Sequence, residues 1–214
     1  MKVSGLVLET ERSLVAPDTV TMADLSRFAN NGVMTTMTWV RLPSGLYVMN
    51  FNGANGYVAV ATNASLNMIN ALSLEAWVLA TTPANNRSFL SKFYQATPGG
   101  NLDFSLDTQG GSWRATSANI TGSVASLAAI TANVWYHLVL AYSTTALTFY
   151  VNGVLQGTDA TPGVITGANF PLWLGLYGAN YFAGQIVGVN IYNYTLTAGQ
   201  ALNYFTASRD WFSV

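Results

Sequence analysis

Carboxylates come first, because only nine Asp and Glu occur in 214 residues and two of them, suitably placed, could hydrolyse a glycosidic bond. That chemistry needs two carboxyl groups flanking the scissile bond, about 5 to 10 Å apart. The nearest pair is Asp103 and Asp107. They lie on or just beyond the alternating run 102–106, on the side shared with Ser105 and opposite Leu102, Phe104 and Leu106. Four residues of extended chain separate them by about 13 Å. That spacing suits neither hydrolytic mechanism, so this strand face is expected to be a polar one turned to solvent.

His137 is the only histidine and there is no cysteine. Thiol catalysis, disulfides and zinc sites of the Cys or multi-His kind are thereby excluded. A Ser-His-Asp triad around His137 would have no G-x-S-x-G elbow to present its serine. The remaining chemical signal is aromatic. Trp39, Tyr94, Trp113, Tyr177 and Tyr181 lie in or beside turn-rich polar segments. Flat rings there can stack on sugars, while Arg114 and Asn180 can bond hydroxyls. The expected ligand surface is therefore Tyr94, Trp113, Arg114, Asn180 and Tyr181, from three segments distant in sequence. The alternative is that these rings fill the ends of the fold or a subunit interface, where Tyr, Trp and Arg are enriched.

Strands must position these groups. In the stretch 147–152, Leu147, Phe149 and Val151 alternate with Thr148, Tyr150 and Asn152, the period of a half-buried strand. Asn152-Gly153 then makes a tight turn, since both residues tolerate φ > 0. Further turn signals recur at short intervals, among them Asn52-Gly53, Asn55-Gly56, Pro98-Gly99-Gly100 and Gly110-Gly111. Between the turns lie short apolar or alternating runs at 6–8, 46–51, 57–60, 73–79, 87–93, 102–106, 113–116, 135–142, 147–151, 172–176 and 183–192. Many short strands without a long 3.6-residue period predict an all-β sandwich or jelly roll. One short helix of a turn or two is expected over 197–206, capped by Thr195 or Thr197, with Ala201, Leu202 and Phe205 on its apolar stripe.

Half the residues are hydrophobic and 8% are charged, with net charge −1. Ordinary soluble proteins carry roughly a quarter charged residues, so this surface must be built from neutral polar and aromatic side chains. The eight basic residues are scattered singly, which argues against nucleic-acid binding. No apolar run is long enough to span a membrane. The N-terminal apolar run is broken by Ser4 and Gly5 and ends at Glu9, too short for a signal-peptide core. The localisation is left open, with a virion or extracellular surface in view.

Five stretches carry a resemblance. They are the 135–153 segment, with its W-x-H run followed by L-x-F-Y-V-N-G; Asp24 to Gly32; Tyr47 to Val58; Ser73-Leu74-Glu75-Ala76-Trp77-Val78; and Phe182 to Thr197. In this order they resemble the laminin-G-like, concanavalin A-like jelly-roll superfamily over nearly the whole chain. The resemblance implies one domain, 1–214, an antiparallel two-sheet β-sandwich with curved sheets and termini close together. It also implies that Trp77, Trp135 and His137 are packed, and that Glu75 is a structural acceptor to backbone or Arg. Many members bind calcium, which takes several oxygen ligands. Here the family's acidic positions are largely replaced, by Asn52, Gly56, Val187 and Gly188. Asp24 is the one retained carboxylate in a candidate loop, with Asn30, Asn31 and Asn52 as helpers. No cofactor is expected; Asp24 is read as capping local backbone in an Asx-type turn, with a calcium ligand as the alternative. The E-x-D-x-x-E strand of glucanases with this fold is absent.

Three functions follow, ranked by these residues. The first is a non-catalytic binding module for carbohydrate or another surface ligand, including a protein surface. The second is a structural or adhesive component of a virion or cell-surface assembly, with self-association into an oligomer or particle. The third is a glycoside hydrolase through Asp103 and Asp107.

Overall fold

A computed structural model describes residues 5–10, 12–93, 102–118 and 120–213. In chain order the strands are β1 (Leu6–Glu9), β2 (Thr21–Met22), β3 (Gly32–Thr35), β4 (Thr38–Arg41), β5 (Tyr47–Asn52), β6 (Tyr57–Val60), β7 (Ala71–Ala80), β8 (Leu90–Phe93) and β9 (Leu102–Gln109). They continue with β10 (Ser112–Ser117), β11 (Gly122–Ala125), β12 (Trp135–Ser143), β13 (Ala146–Val151), β14 (Val154–Asp159), β15 (Leu172–Leu174), β16 (Leu176–Tyr177), β17 (Asn180–Tyr181) and β18 (Ala183–Tyr192). One helix, α1 (Ala198–Ser208), follows.

Two eight-stranded sheets face each other. The first runs β14-β13-β12-β7-β18-β5-β4, with β1 also on β18. The second runs β11-β10-β9-β8-β15-β6-β3-β2, and β16-β17 is a separate hairpin. The architecture is the expected antiparallel sandwich. Between the sheets lies the main core, which includes Val58, Val60, Leu74, Phe89, Phe104, Leu106, Leu138, Leu140, Phe149 and Leu174.

The first sheet is covered on both faces, which explains why 135–142 reads as a continuous apolar run rather than an alternating one. Leu138, Leu140 and Tyr142 enter the main core. Val139 and Ala141 face the opposite way, into a cluster with Leu196 and Ala201. Trp77, Trp135, Val187 and Phe212 form a third cluster on that outer side. α1 closes over it. Its N-cap is Thr197, whose hydroxyl accepts from the Gln200 N–H while the Gln200 side chain accepts from the Thr197 N–H, a reciprocal capping box. Phe212 stacks on Trp77 at 4.1 Å, and the Trp77 indole N–H donates to Ser208 Oγ at 2.9 Å. These contacts extend the helix to eleven residues, beyond the turn or two expected. Leu202, expected on the buried stripe, is exposed instead.

Strands β2, β3, β4, β11, β14, β16 and β17 were not anticipated from the pattern. Most have only two to four residues, too few for a period to show. The two sheets meet along one side through side chains of β14. Asp159 Oδ2 accepts from the Ser123 N–H at 3.0 Å and Gln156 Oε1 from the Leu127 N–H at 2.9 Å. One backbone donor of β11 and one just beyond its end are thereby occupied, a protection that edge strands need.

Candidate functional site

The β9 carboxylates are not on a solvent-facing strand side. Asp103 and Asp107 are both buried. The antiparallel register of β9 and β10 sets Arg114 directly opposite Asp107, and their ion pair closes at 2.8 Å with Ser105 Oγ donating at 2.7 Å. Burial, the dominant influence, pushes the Asp107 carboxyl up from its ordinary value against the pull of Arg114 and Ser105. Asp103 pairs with the fully buried Lys92 at 2.7 Å and accepts from Thr166 Oγ1 at 3.2 Å. Lys92 also donates to the Ala168 carbonyl. Segments far along the chain thus seal a face that strand parity alone marks as polar. Each carboxylate is thus paired with a cation.

Glu75 and His137 sit beneath α1. Glu75 Oε1 lies 3.1 Å from His137 Nε2, and Oε2 accepts from Tyr192 Oη at 2.8 Å and Asn190 Nδ2 at 3.1 Å. Arg12 adds an ion pair at 3.6 Å. The acceptor role expected of Glu75 is thus met by three side chains and Arg12. Burial by itself would raise the Glu75 carboxyl, yet the hydrogen bond and charge of His137, with Asn190 and Tyr192, hold it below the usual range. Burial, then the Glu75 charge, pushes the Tyr192 phenol far up. The His137 ring packs against Trp77, 5.2 Å between centroids. This network ties β7, β12 and β18 together.

Both Asp24 carboxylate oxygens are engaged by hydrogen-bond donors of the protein. Oδ1 accepts from the Glu9 and Ser26 N–H groups at 2.9 and 2.8 Å, and Oδ2 from Ser26 Oγ and the Asn30 N–H at 2.8 and 2.6 Å. The Ser26 bond is the Asx turn. Asn52 Oδ1 likewise accepts from three backbone N–H groups, of Ala54, Asn55 and Gly56. These donor sets do not fit calcium, which would have to displace them. Among the described residues no group of three or more His, Asp or Glu could hold a metal ion.

The five residues expected to form a ligand surface divide. Trp113 and Arg114 are consecutive on β10 and point to opposite faces. Trp113 is 1% exposed, its ring edge-on to Phe89 and Tyr136 in the main core. The expectation of a stacking ring there is corrected by strand parity. Arg114 is engaged with Asp107, as above. Tyr94 lies outside the described residues. Asn180 and Tyr181 come together on the β16–β17 hairpin, which folds over the outer face of the second sheet, with the Leu176 carbonyl accepting from Ser91 Oγ at 2.8 Å. There Tyr181, Tyr57, Trp173, Phe93 and Tyr177 make a continuous aromatic row, with successive centroids 6.5, 5.6, 6.1 and 4.8 Å apart.

At the end of this row a cleft of about 200 Å³ is lined by Asn52, Gly53, Thr82, Ala84, Arg87, Tyr181 and Ala183. Arg87 Nη1 reaches Asn180 Oδ1 at 3.5 Å. Arg87 and Tyr57 did not enter the expected set. The signal for Tyr57 was present: Val58 and Val60 are core residues, so Tyr57 must face outward. A larger concavity, about 380 Å³, is lined by Phe28, by Asn67, Asn70 and Asn193, and by apolar side chains that include Met68 and Ile69. One face of the Phe28 ring is already taken by Arg27, 4.7 Å from its centroid. The rim cleft sets a half-buried tyrosine and a guanidinium in one lining, and it is the better candidate for stacking combined with hydroxyl bonding.

The family model of the concanavalin A-like lectin/glucanase superfamily matches residues 52–201. No curated protein sequence matches the chain. Among solved structures, domain 4 of AbnA, an extracellular GH43 arabinanase from Geobacillus stearothermophilus solved with arabinotriose, is similar with TM-score 0.70 and 20% identity, over 85% of this chain and 91% of that one. The binding domain of Paraclostridial Mosquitocidal Protein 1 gives TM-score 0.72 and 17% identity, over 95% of this chain and 52% of its own length. The botulinum neurotoxin serotype G binding domain gives 0.69 and 14%, over 94% and 51%. At these identities the likeness is one of fold.

Proposed function

We propose that this chain, which belongs to the concanavalin A-like lectin/glucanase superfamily, is a non-catalytic module that binds carbohydrate in the rim cleft beside Arg87, Asn180 and Tyr181. The observation carrying this reading is a half-buried Tyr181 side chain that shares a preformed concavity with amide and guanidinium groups. An apolar face with a few placed polar groups is what a sugar ring requires. Further support comes from the arabinotriose held by the similar arabinanase domain, and from the engagement in ion pairs of Asp103 and Asp107, the two carboxylates on which the hydrolase alternative relied.

The test is a glycan array followed by calorimetric titration of its best hit. Tyr181→Ala is expected to weaken binding about tenfold while leaving the melting temperature unchanged. An array without hits, or full affinity in Tyr181→Ala, would overturn the reading.

An assembly role has one observation in its favour. Leu127, Val154, Leu155 and Leu202 are exposed around edge strand β14 and the turn before it. Sedimentation velocity across a wide concentration range decides it, and a monomer throughout would remove it.

A further inference from the structure

We infer that the rim cleft takes a carboxylate-bearing sugar, the acid seated on Arg87. This rests on the carbohydrate reading of the same cleft and goes beyond it by naming the ligand's charge.

On the second sheet's outer side and its adjoining end, Arg114 is neutralised by Asp107 and Lys92 by Asp103. Arg87 forms no ion pair among the described residues; its side-chain bond is the long one to the neutral Asn180 oxygen. No Asp or Glu lines the cleft. The guanidinium is partly buried beside Tyr181, so it has lost part of its hydration without gaining an anion.

Such a cation is poorly explained by a neutral ligand. Sugar hydroxyls are served as well by amides and hydroxyls, and Asn180 and Thr82 already supply them at this end. A guanidinium offers planar, paired N–H donors that match a carboxylate in two parallel, charge-assisted bonds. In a sugar acid the ring lies against Tyr181 and the carboxylate projects from its edge. Tyr181 and Arg87 border one concavity, so both contacts are within reach of a single residue of saccharide. The chain's net charge of −1 gives no general attraction to anions, so selectivity for the acid would have to come from this one side chain.

The experiment uses the whole chain and two acidic probes with neutral counterparts. These are trigalacturonic acid against its methyl ester, and 3′-sialyllactose against lactose. Titration calorimetry is run on the wild type, Arg87→Gln and Tyr181→Ala, with melting temperatures as a control of folding. At least one acidic probe is expected to bind about tenfold or more tighter than its neutral partner. Arg87→Gln is expected to erase that preference without lowering the melting temperature, and the preference is expected to shrink in high salt. Which probe wins separates a uronic from a sialic acid. Neutral sugars binding equally well, or an acid preference that survives Arg87→Gln, overturns the inference and leaves the carbohydrate reading standing. Absence of binding by every probe and by a full glycan array overturns both.

Discussion

Glu75 is a carboxylate held at 1% exposure among His137, Asn190, Tyr192 and Arg12, and the energetics of such a group depend on pH. Its folded-state pKa lies below the ordinary 4.5. A depressed acid pKa stabilises the fold above the unfolded value, and the contribution is lost as pH falls through the folded value. Asp107 runs the other way: its pKa is raised above 3.8, so its contribution is present below the unfolded value and is lost as pH rises. The wild type is therefore expected to lose stability below about pH 4.5 through Glu75, with Asp107 opposing part of the loss. Urea unfolding of wild type and Glu75→Gln near neutral pH and near pH 3.5 checks this. The variant should be the less stable at neutral pH, by about 3 kcal/mol, and should show the shallower acid loss. Equal acid sensitivity in both would assign the pH dependence elsewhere. At Trp113 the core placement predicts that Trp113→Ala costs about 3 to 5 kcal/mol and leaves sugar binding intact in the folded fraction. A variant of native stability would contradict the burial.

At the scale of the element, the Asn152-Gly153 turn does more than reverse the chain. Both residues have positive φ, 52° and 74°. Asn152 Oδ1 also accepts from the His137 N–H at 2.8 Å, tying the turn to the strand that carries the buried histidine. A Cβ on Gly153 would stand 2.9 Å from Leu202 Cδ1 and 3.0 Å from Leu202 Cα. The turn is therefore also the seat of α1, which accounts for Leu202 lying there rather than in a core. Gly153→Ala is expected to cost roughly 1 to 2 kcal/mol, through φ and through this contact. Thr197→Ala is expected to cost about 1 kcal/mol through the lost cap. Thermal melts measure both, and a loosened helix should also change the near-ultraviolet signal of Trp77. If Gly153→Ala melts like wild type, the helix does not rest on the turn.

For the whole molecule, the question is how two large sheets avoid pairing with neighbours. Asp159 occupies the N–H of Ser123 on β11, and Gln156 that of Leu127 just beyond it. Replacing both with Ala would leave these donors open on an exposed edge. The double variant is expected to aggregate faster than wild type on mild heating, by light scattering, with little change in its dilute melting temperature. Unchanged aggregation would show that the edge is protected by other means. The low charge makes this protection matter, since net repulsion between copies is small.

Strand rhythm, turn residues and five ordered motifs were enough to determine the sandwich, because alternation and positive-φ turns are written in neighbouring residues. The inward sides of β6, β9 and β13, the helix cap at Thr197 and the packed Glu75, Trp77 and His137 all belong to that legible part. What lies over each outward side was not legible. Parity told that Asp103 and Asp107 leave the main core, but Thr166, Ala168 and Tyr177, roughly 60 to 70 residues onward, decide that they are buried. The same holds for the cations. Register between β9 and β10 commits Arg114 to Asp107, whereas Arg87, in the loop before β8, lines a cleft. A period of two reports which way a side chain points. Only the folded chain brings the distant segment that covers it, pairs it, or leaves it open to a ligand.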